Sequence, residues 1–296
     1  VYLSNSSDSN AATLNGIIEE NTLVGSNGYV VSVGNSHFTI SKTGMICNNK
    51  SNISTIYASP GTVMDLYGSI KNNKSGQCGG IHIDINWSSP VTVNMYTGAC
   101  ITGNSAGDVE ASSSPKDRGG AVCCSGNRDS GTVFNMYGGI ISGNSSSEGT
   151  IFVRKHGEFH MYGGVITENI GAGVRVDGSE GNPLFTMMGG QITDNTSYGA
   201  TYTTGSNSVV KLEESGISGN NNGNEQIKIS GNASSTDTVH HIEIAPNVLL
   251  KNTAIALPFG LITLDSNYGD IALGIASKNA KDDMISKLPI DQGEDS

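Results

Sequence analysis

The stretch that decides the fold is FNMYGGIISGN at residues 134–144, because the chain repeats it as FHMYGGVITEN at 159–169 and, with Met in place of Tyr, as FTMMGGQITDN at 185–195. Looser copies continue downstream as VKLEESGISGN at 210–220 and IEIAPNVLLKN at 242–252. Upstream, residues 38–49, 64–73 and 93–104 match with one residue inserted or deleted. The closing asparagines are Asn49, Asn73, Asn104, Asn144, Asn169, Asn195, Asn220 and Asn252, at intervals of 24, 31, 40, 25, 26, 25 and 32 residues. A unit this short cannot bury its own apolar face, so units must stack on one another.

Each unit reads as three short strands. F-x-M alternates inward and outward. The Gly pair turns a corner, x-I-[ST] makes a second strand, and the Asn is expected to take a left-handed corner conformation and to form an amide ladder between units. A third strand follows, as in Ile81-His82-Ile83, Ile151-Phe152-Val153, Val174-Arg175-Val176 and Ile227-Lys228-Ile229. The expected fold is all-β, a right-handed parallel β-helix solenoid of about eight to ten coils with three strands each. Leucine-rich repeats would need a different leucine spacing, and propeller blades need ~40–45 residues.

Three inward columns follow from the pattern. One holds Phe38, Val93, Phe134, Phe159, Phe185, Val210 and Ile242. The second holds Ile40, Leu66, Met95, Met136, Met161, Met187, Leu212 and Ile244. The third holds Ile46, Ile70, Ile101, Ile141, Ile166, Ile192 and Ile217. Residues 1–36 are expected to form a first coil and cap, 37–252 the repeats, and 253–296 closing strands with a polar tail.

Composition supports this and narrows the function. Gly is counted at 40 of 296 residues and charged residues are 15%, too few for a chain of long helices. The net charge is −11 and no Lys/Arg run occurs, which argues against nucleic acid as a partner. No apolar run reaches the ~18 residues of a membrane span, so no membrane insertion is expected. The start at Val1 reads as a mature or excised piece. Cys47, Cys78, Cys100, Cys123 and Cys124 lack zinc-site spacing and read as small buried hydrophobes. Vicinal Cys123 and Cys124 would face opposite sides of their strand.

The repeat units, followed by G-x-V-x-V strands, resemble repeats of large surface proteins from anaerobic Gram-positive gut bacteria. They are also similar to the GGA[IV] and FxxN repeats of chlamydial polymorphic outer-membrane proteins, with Gly119-Gly120-Ala121-Val122 as one such copy. Both groups resemble the pectate-lyase-like β-helix superfamily. The closing segment 261–276 (LITLDSNYGDIALGIA) resembles the strand pair that ends such arrays in the gut proteins. The resemblance covers about residues 28–276. It implies a secreted or cell-surface location and a monomer within a larger multidomain chain. It leaves function open among lyases, glycoside hydrolases, adhesins and tailspikes.

In a solenoid, chemistry lies on outward strand positions and in insertions. The third strand carries His82, Asp84, Phe152, Arg154, Arg175, Asp177, Tyr202 and Lys228 outward. Such a mixture suits sugar hydroxyls and carboxylates, while the plain reading is a solvated face whose charges pair across coils. Trp87, in the polar setting NWSSP, is a sugar-stacking candidate. A second stripe, Tyr67, Tyr96, Tyr137 and Tyr162, is either a structural stack over the Gly corner or a glycan platform.

A glycosidase would need two carboxylates ~5–9.5 Å apart. Asp177 with Glu158, or Asp84 with a residue of 108–118, are the candidate pairs. A lyase would need a base, Arg154 or Arg175, beside carboxylate-held Ca²⁺, but no acidic cluster accompanies them. No metal ligand set and no required cofactor emerge, and GxSxG and HExxH are absent. The leading expectation is a non-catalytic adhesion module for a glycan or glycoprotein, ahead of a carbohydrate-active enzyme and a structural spacer.

Overall fold

Alternation at the repeated F-x-M, x-I-[ST] and third-strand positions gives every unit the same inward face, and the only way to bury all of them is to stack units in register. The computed structural model describes residues 1–4, 11–23, 28–84, 89–107, 119–127, 131–196, 200–204, 209–212, 216–218, 227–229, 241–244, 249–250, 254–256, 261–264 and 272–274. Side chains are described through residue 211, except 202–204. Every pair of adjacent strands among these is parallel, and no helix occurs among the described residues.

F-x-M strands form a ten-stranded sheet from Ala11–Leu14 to Leu261–Leu264, and x-I-[ST] strands a nine-stranded sheet from Ile17–Glu19 to Leu249–Leu250. The third strands form an eleven-stranded sheet from Tyr2–Ser4 to Ala272–Gly274. The chain is therefore a parallel β-helix. It differs from expectation in having four sheets rather than three. The fourth sheet consists of two-residue strands, Thr22–Leu23, Lys50–Ser51, Lys74–Ser75 and Ser105–Ala106, each directly after the ladder asparagine. Two residues are too few to show a period, so this sheet is invisible to pattern analysis.

The three apolar columns run as expected. Phe38, Met64, Val93, Phe134, Phe159, Phe185 and Val210 are register partners in succession, at 0–3% exposure. Met64 belongs to this column as well. Phe134, Phe159 and Phe185 stack with ring centroids 5.1 and 5.0 Å apart. The methionine column and the isoleucine column keep the same register, even across the long intervals between Asn73 and Asn144. Extra chain length is spent outside the strands, so the core does not register it.

The asparagine ladder is real, but its backbone geometry is not the expected one. The left-handed residue is the one before each ladder asparagine: Glu20, Asn48, Asn72, Glu168 and Asp194 at φ 54–57°, and Gly103 and Gly143 at 65° and 62°. That residue makes the turn, which leaves the asparagine side chain pointing inward. Each asparagine donates N–H and Nδ2 to Oδ1 of the next, from Asn21 through Asn49, Asn73, Asn104, Asn144 and Asn169 to Asn195. From Asn49 onward they are 0–1% exposed. The other corner uses the second residue of the Gly pair, with Gly139, Gly164 and Gly190 at φ 90–91°, a conformation costly for residues with a Cβ.

Candidate functional site

Alternation along the eleven-stranded sheet puts two rows of side chains on its outer side. One row runs Tyr57, His82, Cys123, Phe152, Arg175, and continues through the backbone positions of Tyr202 and Lys228. The other runs Asp84, Ser125, Arg154, Asp177. The sequence-chosen residues thus fall on one face, with Cys123, Ser125 and Tyr57 added. Trp87 and the 108–118 insertion lie outside the described residues, as do the side chains of Tyr202 and Lys228.

The middle of this face is not open to solvent. His82, Cys123, Ser125 and Phe152 point away from the core yet are only 2–4% exposed. Cys124, on the opposite side of the same strand, packs in the core with its thiol near the Glu158 carbonyl, and burial pushes that thiol up to about 12. The cysteines are free, and all but the partly exposed Cys100 are buried, so Cys100 departs from the expected role.

Further along, the charges are already paired. Arg175 lies over the Phe152 ring, 5.2 Å from its centroid, and its guanidinium meets Glu148. Arg154 meets Glu180 at 3.2 Å. Asp177 accepts hydrogen bonds from the Ser179 N–H and hydroxyl at 3.1 and 2.6 Å. Glu158 belongs to a different sheet and pairs with His160 at 3.0 Å. Asp84 and Asp177 are three rungs apart, about 14 Å at ~4.8 Å per rung, beyond either glycosidase spacing. Among the described residues, no group of three or more His, Cys, Asp or Glu side chains is arranged to hold a metal ion.

The N-terminal part of the face is different. Tyr29 and Tyr57 stack at 4.4 Å, and His82 meets the Tyr57 ring edge-on at 5.6 Å. Asp84 stands beside them with its side chain 21% exposed. The His82 imidazole lies 3.9 Å from its carboxylate. Burial, and then the Asp84 charge, raise both tyrosine hydroxyls above their usual range, so they stay protonated donors. The cluster combines an aromatic stack, two phenols, an imidazole and a carboxylate with spare acceptor capacity. Tyr57 was legible from alternation in STIYA at 54–58; Tyr29 was not, because Val30 and Val31 are both buried and break the alternation there.

The second tyrosine stripe resolves as a stack. Tyr67, Tyr96, Tyr137 and Tyr162 lie face to face, with centroids 4.5, 5.5 and 4.9 Å apart and ring planes within 19° of parallel. Their faces contact each other, so the interior of the stack offers ring edges outward and no free face for a sugar. Beside it, Asp65 accepts from Asn94, Tyr96 and His37.

Comparison with family models, with curated proteins and with solved structures finds no match to this chain.

Proposed function

We propose that this solenoid is a non-catalytic binding module of a secreted or cell-surface protein, and that it recognises glycans at Tyr29, Tyr57 and Asp84, with the buried His82 imidazole behind them. The observation that carries the reading is the half-buried Asp84 carboxylate beside stacked tyrosines. Carboxylates accept hydrogen bonds from sugar hydroxyls, while aromatic rings pack against sugar C–H faces. The rest of the face supports the reading less, because Arg154, Arg175 and Asp177 are already engaged within the chain. Surface placement rests on the resemblance of the repeats to those of bacterial surface proteins. Binding is favoured over two-carboxylate hydrolysis because Asp84 and Asp177 stand about 14 Å apart along this face and Glu158 lies on a different sheet.

The test is a glycan-array screen followed by calorimetry on the hits. Asp84→Ala is expected to weaken binding about tenfold or more, the loss of a charge-assisted hydrogen bond, and Tyr57→Ala to weaken it comparably. Arg175→Ala should change little. Binding unaffected by Asp84→Ala and Tyr57→Ala would overturn the site, and release of reducing or unsaturated sugars would replace binding with catalysis. No hit at all would leave a spacer as the better account.

A further inference from the structure

Two tyrosines of the second stripe are placed to react with one another. Tyr137 and Tyr162 directly follow the strands Thr132–Met136 and Gly157–Met161, whose last residues are register partners. The Tyr162 N–H donates to the Met136 carbonyl at 2.8 Å, and the Tyr137 N–H donates to the Met95 carbonyl at 2.8 Å. Each tyrosine backbone is thus pinned to the coil before it. The two rings stack with centroids 4.9 Å apart and planes within 14° of parallel. Both residues hold the same place in successive coils, so the repeat sets like ring edges side by side. Tyr137 is 44% exposed and Tyr162 42%, which leaves their phenol edges open to a reagent in solution.

The rest of the stack differs from this pair. Tyr67 and Tyr96 are less exposed, and the Tyr96 hydroxyl donates to Asp65 at 3.2 Å. Between Tyr96 and Tyr137 the spacing widens to 5.5 Å and the planes diverge by 19°. In the coil after Tyr162 the corresponding residue is Met188, whose N–H donates to the Met161 carbonyl at 2.7 Å. Tyr137 and Tyr162 are therefore a separate pair at the accessible end of the stack. All five cysteines are free, so no disulfide ties one coil to the next.

We propose that Tyr137 and Tyr162 form an oxidative cross-linking site, joined carbon to carbon as dityrosine when hydrogen peroxide and a haem peroxidase act on the protein. One electron and one proton leave each phenol, giving two phenoxyl radicals with spin on the ring carbons beside the hydroxyl. One such Cε from each ring forms the new bond. The hydrogen on each of those carbons passes to the phenol oxygen, which restores both aromatic rings. Peroxide takes up the two electrons and two protons and becomes two waters, so the protein loses two hydrogen atoms in all. Carbon atoms in contact lie ~3.5–4.0 Å apart, and rotation of the rings about their side-chain bonds closes the remaining gap. Holding both partners in place favours this coupling over one between molecules. A bond between residues 25 apart in the chain restricts the unfolded state as a disulfide does, and reductants do not open it.

The test treats the whole chain, folded and dilute, with hydrogen peroxide and a haem peroxidase. Dityrosine fluorescence should appear in a chain of monomer mass that is lighter by two hydrogen atoms, and digestion should yield one linked pair of peptides holding Tyr137 and Tyr162. Tyr137→Phe and Tyr162→Phe keep the rings and remove the phenol. Each should lose that linked pair while its far-UV circular dichroism stays that of the parent, and Tyr67→Phe should retain it. Treatment in urea should also lose the link, because the register that sets the rings together is gone. The cross-linked protein should unfold at a higher urea concentration than Tyr137→Phe treated in the same way, which shares any thiol or thioether oxidation. No link between these two residues, coupling found only between molecules, or an equal yield in urea overturns the proposal.

Discussion

Replacing Asn144 with alanine isolates what one rung of the amide ladder contributes. Asn144 is fully buried. Its Oδ1 accepts from the Asn104 N–H and Nδ2, both at 3.0 Å. Its Nδ2 donates to the Ile101 carbonyl at 2.9 Å, the Ser142 carbonyl at 3.1 Å and Asn169 Oδ1 at 3.0 Å. Alanine leaves the backbone bond from residue 144 to Asn169 intact but strips the acceptor from two donors of Asn104. Orphaning a buried donor costs roughly 1–3 kcal/mol. The Nδ2 of Asn104 retains its bond to the Ile70 carbonyl, so its loss falls at the low end. Lost bonds from the missing Nδ2 bring the total to about 3–5 kcal/mol. At the exposed Asn21 rung, Asn21→Ala leaves no buried donor behind, and water replaces part of what is lost, so about 1 kcal/mol or less is expected. Urea titration followed by circular dichroism, with hydrogen exchange of the Asn104 amide as a local readout, measures both. If Asn144→Ala cost no more than Asn21→Ala, the ladder would be a geometric coincidence of stacking rather than a source of stability.

Gly164→Ala should destabilise by about 2 kcal/mol or more, because φ is 90° and an added Cβ would come within 2.6 Å of Met136 Cε and 2.7 Å of the Gly139 carbonyl oxygen. Gly143→Ala, at φ 62° with its nearest neighbour 3.8 Å away, should cost only about 1 kcal/mol; equal denaturation midpoints for the two would refute the role given to the corner. Tyr96 ionises late, its hydroxyl pushed up to about 12 by burial and then by Asp65. Its neutral form is favoured in the folded state, so this contribution to stability is complete below pH 10 and fades as pH rises from 10 towards 12. Phenolate absorbance during an alkaline titration should show one tyrosine brought back towards its usual range in Asp65→Asn, and an unchanged titration would count against the contact.

The three apolar columns were legible because strand periodicity is two and the motif recurs: Phe159, Met161 and Ile166 each find a like neighbour one unit away. The amide ladder was legible for the same reason. Its backbone was not, because the left-handed position is filled by Glu168 in one coil, Asp194 in another and Gly143 in a third, with no residue type in common.

What lies on the outer face divides along similar lines. Sequence alone determined that His82, Asp84, Arg154, Arg175 and Asp177 share one side of one sheet, since alternation is a local property of a strand. Only the tertiary structure decided which of them are available. Arg175 meets Glu148 from the coil before, Asp177 turns back on Ser179, and His82 and Cys123 are buried although they point outward. Only the fold, likewise, turned the tyrosines of the second stripe face to face and consumed their ring surfaces. Periodicity states the direction of a side chain. Its solvent exposure and its partners depend on segments distant in the chain, and those meet only when the coils stack.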